Sequence, residues 1–429
     1  MFICKNIFII FALSKVIKNY WMVIGSNMKN IIITVILLWM SIGLCQAQTL
    51  QNYAVKTDFI YGNILKHTKH LDNLVENPVA GAELAVEWQT MGEKPWHQYF
   101  GFPTIGVGLV GLDLGNPEML GQLLAVYPYL NIKLLDLKFL KINIKGGAGA
   151  SFLNKRYSNT PHLANTLNGI NNEPNQANAA IGSILNVYFA GGGNVEVPLG
   201  SGFTAIAGYT WNHASNGSFY QPNSGINMLN TSVGLKYCPV YKSNYQPVRK
   251  EIPSMPQNFA VEVIASGGAR ELYYKDDKMY PTGSLVLAAY RQVGNNIRLG
   301  LGVDGFYDGV YDGTTKFRRT YLTTDELKNK IRVGVSFQPE LVFGKLTAGI
   351  HLGMYLYNPL KNLEPYADAQ NNLLNKPLIY TYNIEDEDGW FYSRASLKYT
   401  FTNHIFASLG LKTHLQKAEF IEWGLGYRF

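Results

Sequence analysis

Cysteine is nearly absent from this chain: there are three in 429 residues, and only Cys238 lies beyond residue 47. An intrachain disulfide framework is therefore excluded for the chain after that point. Charge is scarce too, at 16% Asp, Glu, Lys and Arg, which excludes a disordered, self-repelling chain, and 42 Gly without a three-residue period exclude collagen. After residue 48 no apolar run reaches the roughly 18–20 residues that a helix needs to cross a bilayer. What is abundant is aromatic, with 28 Tyr and 21 Phe. Such a chain shows aromatic and small side chains to something other than bulk water. A closed β-barrel is then the remaining spanning solution, because lipid offers no partner to an open sheet edge.

The first segment has to be set aside before the fold is read. Met28 and Lys29 open a basic region, Ile31 to Leu44 is apolar, and Cys45-Gln46-Ala47 ends it in small residues. This pattern predicts a secretory signal over 1–47 cleaved after Ala47, with Met28 as the true start. A lipidated Cys45 is the alternative, and Leu44 before it is a poor fit to the small residue such a site wants. Removing 1–47 leaves 382 residues and takes Lys5, Lys15, Lys18 and Lys29 with it, so 33 basic side chains face 30 acidic ones. A net charge of +3 makes no electrostatic case for nucleic acid.

Period-2 alternation recurs along the rest of the chain. In the last strand Ile421, Trp423, Leu425, Tyr427 and Phe429 fall on one face, and Glu422, Gly424, Gly426 and Arg428 on the other. The same split appears at 391–401, 331–337 and 139–152, one side suited to lipid and the other to a wet lumen. Short connections at 133–138, 191–198, 294–296, 344–345 and 402–403 alternate with longer ones at 154–177, 216–224, 272–282, 310–328 and 358–387. An upward strand at 56–67 and a downward one at 80–91 complete the parity. The expected fold is all-β: a transmembrane antiparallel outer-membrane barrel of about sixteen strands, with both termini periplasmic. Pro239, Pro247, Pro253 and Pro256 interrupt the rhythm, which suggests a first half over 48–240, a connector over 241–256 and a second half over 257–429. Two eight-stranded barrels in tandem are the alternative. A soluble β-sandwich would carry similar alternation, but not behind a signal segment or with so many Tyr and Trp near strand ends.

One segment departs from simple membrane chemistry, Tyr209-Thr210-Trp211-Asn212-His213-Ala214-Ser215-Asn216-Gly217. His213 and Ser215 are two apart and share a strand face with Tyr209 and Trp211, pointing outward. If the following hairpin is centred near Tyr220, His213 stands opposite Asn227 and Ser215 opposite Gly225. Directly opposed side chains have Cβ atoms about 4.5–5.5 Å apart, so Asn227 can orient the imidazole. A serine hydroxyl needs a neighbouring base to take its proton, and the base needs a third group to hold its tautomer. Ser215, His213 and Asn227 fit those roles. Backbone N–H groups near Asn216 and Gly217, with the Asn223 side chain, are candidates for an oxyanion hole, worth about 3–4 kcal/mol per donor in known cases. Turn residues such as His, Ser and Asn also occur in loops with no chemistry. Their placement toward lipid, where polar groups are costly, weighs against that plainer account.

His213-Ala214-Ser215-Asn216-Gly217, followed by Gln221-Pro222-Asn223-Ser224-Gly225-Ile226, resembles the catalytic hairpin of the PagL-type lipid A 3-O-deacylases, including the longer relatives labelled acyloxyacyl hydrolases. Asn175 to Ser183, and Leu411-Lys412-Thr413-His414 through Phe429, resemble that longer group. The resemblance implies an outer-membrane serine esterase that removes the 3-position acyl chain of lipid A at the outer leaflet. It implies Ser215 as nucleophile, His213 as base, and Asn216, Gly217 and Asn223 around the oxyanion. Lipopolysaccharide and outer-membrane lipids are its implied partners, with no cofactor, and a homodimer is one assembly open to it. The PagL type carries a glutamate where this chain has Asn227. An asparagine there resembles outer-membrane phospholipase A, whose Ser-His-Asn triad lies on the outside of its barrel.

The remaining candidates are weaker. His67-Thr68-Lys69-His70 has no third ligand at supporting spacing and reads as an external loop pair, so no metal is expected. Glu385-Asp386-Glu387-Asp388 reads as a solvated acidic loop. The non-enzymatic alternative is a porin, with Lys141, Lys145, Arg332, Arg394 and Arg428 lining a wet lumen.

Overall fold

In the computed structural model the described residues are 52–68, 71–158, 175–239, 247–251, 258–272, 278–312, 326–358, 390–414 and 417–429. The signal segment expected over 1–47, His70 and the acidic run at 385–388 lie outside them. Among the described residues there are sixteen strands, and every neighbouring pair is antiparallel. The first eight are β1 (Tyr53–Ile64), β2 (Val79–Gln89), β3 (Thr104–Asp113), β4 (Gln122–Asp136), β5 (Lys141–Leu153), β6 (Leu185–Gly200), β7 (Phe203–Ser215) and β8 (Ile226–Tyr237). The rest are β9 (Phe259–Arg270), β10 (Tyr280–Gln292), β11 (Ile297–Asp308), β12 (Ile331–Phe343), β13 (Leu346–Tyr357), β14 (Phe391–Thr400), β15 (Ile405–His414) and β16 (Lys417–Arg428).

These strands close as two eight-stranded barrels, β8 pairing back onto β1 and β16 back onto β9. The sixteen-strand expectation thus takes its tandem form rather than that of one wide barrel. The short connection expected at 191–198 is a correction: β6 continues through it to Gly200, and the turn follows at 201–202. A short helix, α1 (Pro95–Tyr99), occupies the β2–β3 connection, and a second, α2 (Leu327–Lys330), precedes β12.

Alternation sorts the side chains as a membrane barrel requires. Along β16, Trp423 is 69% and Leu425 65% exposed on the outside, whereas Glu422, next to Trp423, is 3% exposed inside. An interior of eight strands is just wide enough for its own side chains, and here those are paired ions and tyrosines. In the first barrel Lys56 bonds Asp58 at 2.6 Å and Glu83 at 2.8 Å, and Lys145 reaches Glu83 at 2.9 Å. In the second, Lys398 lies 2.7 Å from Glu262 and 2.6 Å from Glu340, with Arg298 and Arg428 also on Glu262 at 3.0 and 2.8 Å. Burying an ion without a partner costs several kcal/mol, so each lumen is built from mutually neutralising sets.

Four of the five basic residues expected to line a wet lumen weigh against the porin reading. Lys145, Arg332, Arg394 and Arg428 face inward but are committed to Glu83, Asp308, Glu422 and Glu262. A cavity among Lys56, Asp58, Glu83 and Lys145 measures about 20 Å³, room for one water rather than a conduit. Purified protein added to a planar bilayer is expected to give no stable ohmic steps above baseline; porin-sized steps would contradict the filled lumens.

Candidate functional site

β7 and β8 form a hairpin in which His213 pairs directly with Asn227 and Ala214 with Ile226. This is the register expected for a hairpin centred near Tyr220. Tyr209 and Trp211 are exposed on the outer face, whereas Asn212 turns inward and bonds Tyr188 and Asn230 at 2.8 Å each. His213 therefore shares the outer face of the wall, and its ring stacks on Trp211 with centroids 5.6 Å apart and 14° between planes.

Three side chains meet there. Ser215 Oγ lies 2.8 Å from His213 Nε2, and Asn227 Oδ1 lies 2.7 Å from His213 Nδ1. An amide oxygen only accepts, so Nδ1 carries the proton and Nε2 is left to accept from the serine hydroxyl. Gly225 closes against this pair with φ +75°. A Cβ there would lie 3.0 Å from His213 Cε1 and 3.4 Å from Ser215 Cβ, so both backbone conformation and space favour glycine.

The remaining expected site residues divide. Asn223 Oδ1 accepts the Asn216 N–H at 3.1 Å, which commits the amide oxygen of Asn223 and turns its NH2 end elsewhere. Asn216 is a brace: its side chain donates to Ser183 Oγ at 2.9 Å and to the Tyr220 carbonyl at 3.0 Å. Gly217 has φ +62°. The Asn175–Ser183 stretch lies behind the hairpin, with the Ala180 carbonyl accepting Gly225 N–H at 2.9 Å and the Ala179 carbonyl accepting Ser224 N–H at 3.3 Å.

Two features were not read from the sequence. One is His67, whose Nδ1 lies 3.2 Å from Asn227 Nδ2; closure of β1 on β8 puts it there, across 160 positions. The other is the second barrel. Glu271, just after β9, accepts the Gln221 N–H at 2.8 Å, Ser218 Oγ donates to the Ala418 carbonyl at 2.7 Å, and Glu271 N–H donates to the Ser218 carbonyl at 3.1 Å. A Cβ on Gly217 would sit 2.5 Å from Ile421 Cγ1. The 216–225 connection is thus clasped by the neighbouring barrel. Among the described residues there is no cluster of His, Cys, Asp and Glu that could hold a metal ion.

Residues 80–236 match the family model described as lipid A 3-O-deacylase (PagL), and residues 259–367 with 378–429 match that of the acyloxyacyl hydrolase C-terminal domain. The chain belongs to the PagL family. Membership of it implies a hydrolase acting on lipid A esters and an outer-membrane location. Among solved structures, Neisserial surface protein A is 9% identical with a TM-score of 0.29, the match covering 43% of this chain and 96% of that one. The outer membrane enzyme PagL is 16% identical with a TM-score of 0.25, covering 43% and 99%. A mutant Rh. blastica porin is 9% identical with a TM-score of 0.18, covering 88% and 98%. A search of the curated proteins returns no match.

The clasp has a measurable consequence. A hydrogen bond to a charged acceptor contributes about 1.5–3 kcal/mol, so Glu271→Ala should loosen the 216–225 connection by about that much. Limited proteolysis of the detergent-folded protein near Phe219–Tyr220 is expected to accelerate at least tenfold, and Glu271→Gln, which still offers an oxygen, should stay near wild type. Equal cleavage rates for all three proteins would mean that the clasp does not hold the loop.

Proposed function

We propose that the protein is an outer-membrane serine esterase that removes the 3-O-linked acyl chain of lipid A at the outer leaflet, with Ser215, His213 and Asn227 as its triad. The observation that carries this is the unbroken contact from Ser215 Oγ through His213 to Asn227 Oδ1, at 2.8 and 2.7 Å, on the outer face of a barrel wall. Polar groups on such a face are costly without a purpose. The family match to lipid A 3-O-deacylases supports the substrate class.

The chemistry follows from the geometry. Ser215 Oγ attacks the ester carbonyl carbon as its proton passes to His213 Nε2, and the carbonyl π electrons move to oxygen. Asn227 Oδ1 stabilises the imidazolium that forms. Gly217 N–H and the Asn223 NH2 group are the donors best placed to meet the oxyanion, because the Asn216 N–H is already spent on Asn223. Collapse breaks the bond to the sugar oxygen, which takes the proton from His213 and leaves an acyl-Ser215. Water, deprotonated by the same imidazole, then releases the fatty acid. Trp211 and Tyr209, exposed beside the triad, suit the membrane interface and keep the site at the level of ester linkages.

Asn227 favours one second reading, a phospholipase, since an amide as third member resembles the Ser-His-Asn triad of outer-membrane phospholipase A. Mass spectrometry of the lipids of a host expressing the protein separates the two. Lipid A lighter by one hydroxyacyl chain supports the deacylase; lysophospholipid with free fatty acid moves the substrate to phospholipid. Ser215→Ala is expected to abolish either product. Asn227→Ala should lower kcat by up to about 10⁴-fold through loss of the imidazole tautomer. Unchanged product from Ser215→Ala would sink the triad.

A further inference from the structure

We infer that His67 is a positioning residue that holds the Asn227 carboxamide in the one orientation able to serve His213; this rests on the triad proposed above. A carboxamide has two faces, an oxygen that accepts and an NH2 that donates, and a half-turn about its last bond exchanges them. His213 needs the oxygen. With the NH2 facing it, Nδ1 would have to become the acceptor, Nε2 would carry the proton, and the nitrogen facing Ser215 would have no lone pair for the serine proton. Something beyond Asn227 must decide between the two, and the groups on its far side do so.

His67 lies just past β1, where the ladder with β8 runs one step beyond the strand: Leu65 N–H donates to the Asn227 carbonyl at 2.8 Å, and His67 N–H to the Leu65 carbonyl at 3.0 Å. Its Nε2 is 2.9 Å from the Ser224 carbonyl oxygen. A carbonyl only accepts, so this nitrogen carries the proton, and Nδ1, 3.2 Å from Asn227 Nδ2, is left bare to accept from the amide. The Leu65 carbonyl is 3.1 Å from the same Nδ1. Donating there would require a proton on Nδ1 and would confront the Asn227 NH2 with a donor, so the two arrangements are mutually exclusive.

In the first arrangement all donors point one way. Ser215 O–H donates to His213, His213 N–H to Asn227, Asn227 N–H to His67, and His67 N–H to the Ser224 carbonyl. Each link fixes the polarity of the next, and hydrogen bonds in series strengthen one another. A carboxylate at position 227 would need no such partner, because both of its oxygens accept. His67 therefore supplies the orientation that an amide lacks.

The test uses full-length protein folded in detergent, with lipid A and a diacyl phospholipid in mixed micelles as substrates and folded fraction measured by heat-modifiable gel mobility. In the native Asn227 background, H67A is expected to lower kcat ten- to a hundredfold with KM unchanged. H67Q, which can present an oxygen to the amide, should remain within about threefold of wild type, and H67K, which can only donate, should fall at least as far as H67A. In the N227D background H67A should change kcat by less than threefold. Wild-type kcat for H67A, or equal losses for Gln, Lys and Ala, would overturn the positioning role; if N227D is itself inactive, the Ala, Gln and Lys series alone decides. Failure of the triad reads differently: N227A would then retain wild-type kcat whatever happens at position 67.

Discussion

No backbone N–H or C=O on a strand immersed in lipid can be left without a partner, since each orphan costs several kcal/mol. That constraint makes both sheets close, β8 onto β1 and β16 onto β9. Closure at eight strands leaves an interior only as wide as its side chains, so the inward positions cannot hold a water column. They are filled by carboxylates, lysines, arginines and tyrosines in contact, such as Tyr129 on Glu87 at 2.8 Å and Arg394 on Glu422 at 2.7 Å. With the lumens filled, any chemistry has to be done on the outer wall or at the rims. The polar outer-face residues His213, Ser215 and Asn227 are satisfied by one another, which is how they are tolerated there.

What could be read from the sequence follows from what is local. Alternation in β14 and β16 separates Arg394 and Lys398 from Phe391 and Leu397, and Glu422 from Trp423, without any knowledge of the fold. A hairpin needs only its centre to set its register, so the opposition of His213 and Asn227 was legible. Closure is not local. Nothing in the alternation says that β8 returns to β1 instead of pairing with β9, so sixteen strands in one ring and eight in each of two rings look alike in sequence. The same blindness hid the place of His67, which in the sequence is only half of a His-x-x-His pair and comes beside Asn227 only when β1 and β8 meet. Gly191-Gly192-Gly193-Asn194 and Pro198 read as a turn because those residues favour turns, yet β6 runs through them, with 191–194 paired to β5 on one side and β7 on the other and Pro198 paired to β7 alone. Tertiary pairing overrode local preference.

The second barrel gains a physical role from the contacts between the two. At one end, Phe100 just beyond α1 stacks on Phe343 of β12 with centroids 4.4 Å apart and 21° between planes, and the Gln98 amide holds the Val248 carbonyl of the connector at 2.8 Å. At the opposite end, Glu271 and the Ala418 carbonyl grip Gln221 and Ser218. A connection of ten residues between β7 and β8 would, on its own, sample many conformations, each ordered residue costing about 1–2 kcal/mol of backbone entropy. Ser183 and Ala180 from within the first barrel, with Glu271 and Ala418 from the second, fix it from two sides. The family model for the second barrel is a separate one from that for the first. The division of labour fits the proposed triad: one barrel carries Ser215, His213 and Asn227, and the other steadies the loop between them.

The third member of the proposed triad shows how far such support reaches. Replacing a carboxylate by an amide removes a charge that would otherwise stabilise the imidazolium, and it adds a directional choice that a carboxylate does not have. In this site the choice is passed outward, from Asn227 to His67 and from His67 to a main-chain carbonyl that has no alternative role as a donor. Ser224, which owns that carbonyl, has its own N–H held by the Ala179 carbonyl, and Gly225 beside it is held by Ala180. The chain of polarity thus ends on backbone that is itself fixed by the scaffold behind the hairpin. Orientation at Ser215 Oγ is set by a rigid carbonyl four hydrogen bonds away. The cost of the amide is a longer dependence on its surroundings, and the surroundings here are complete.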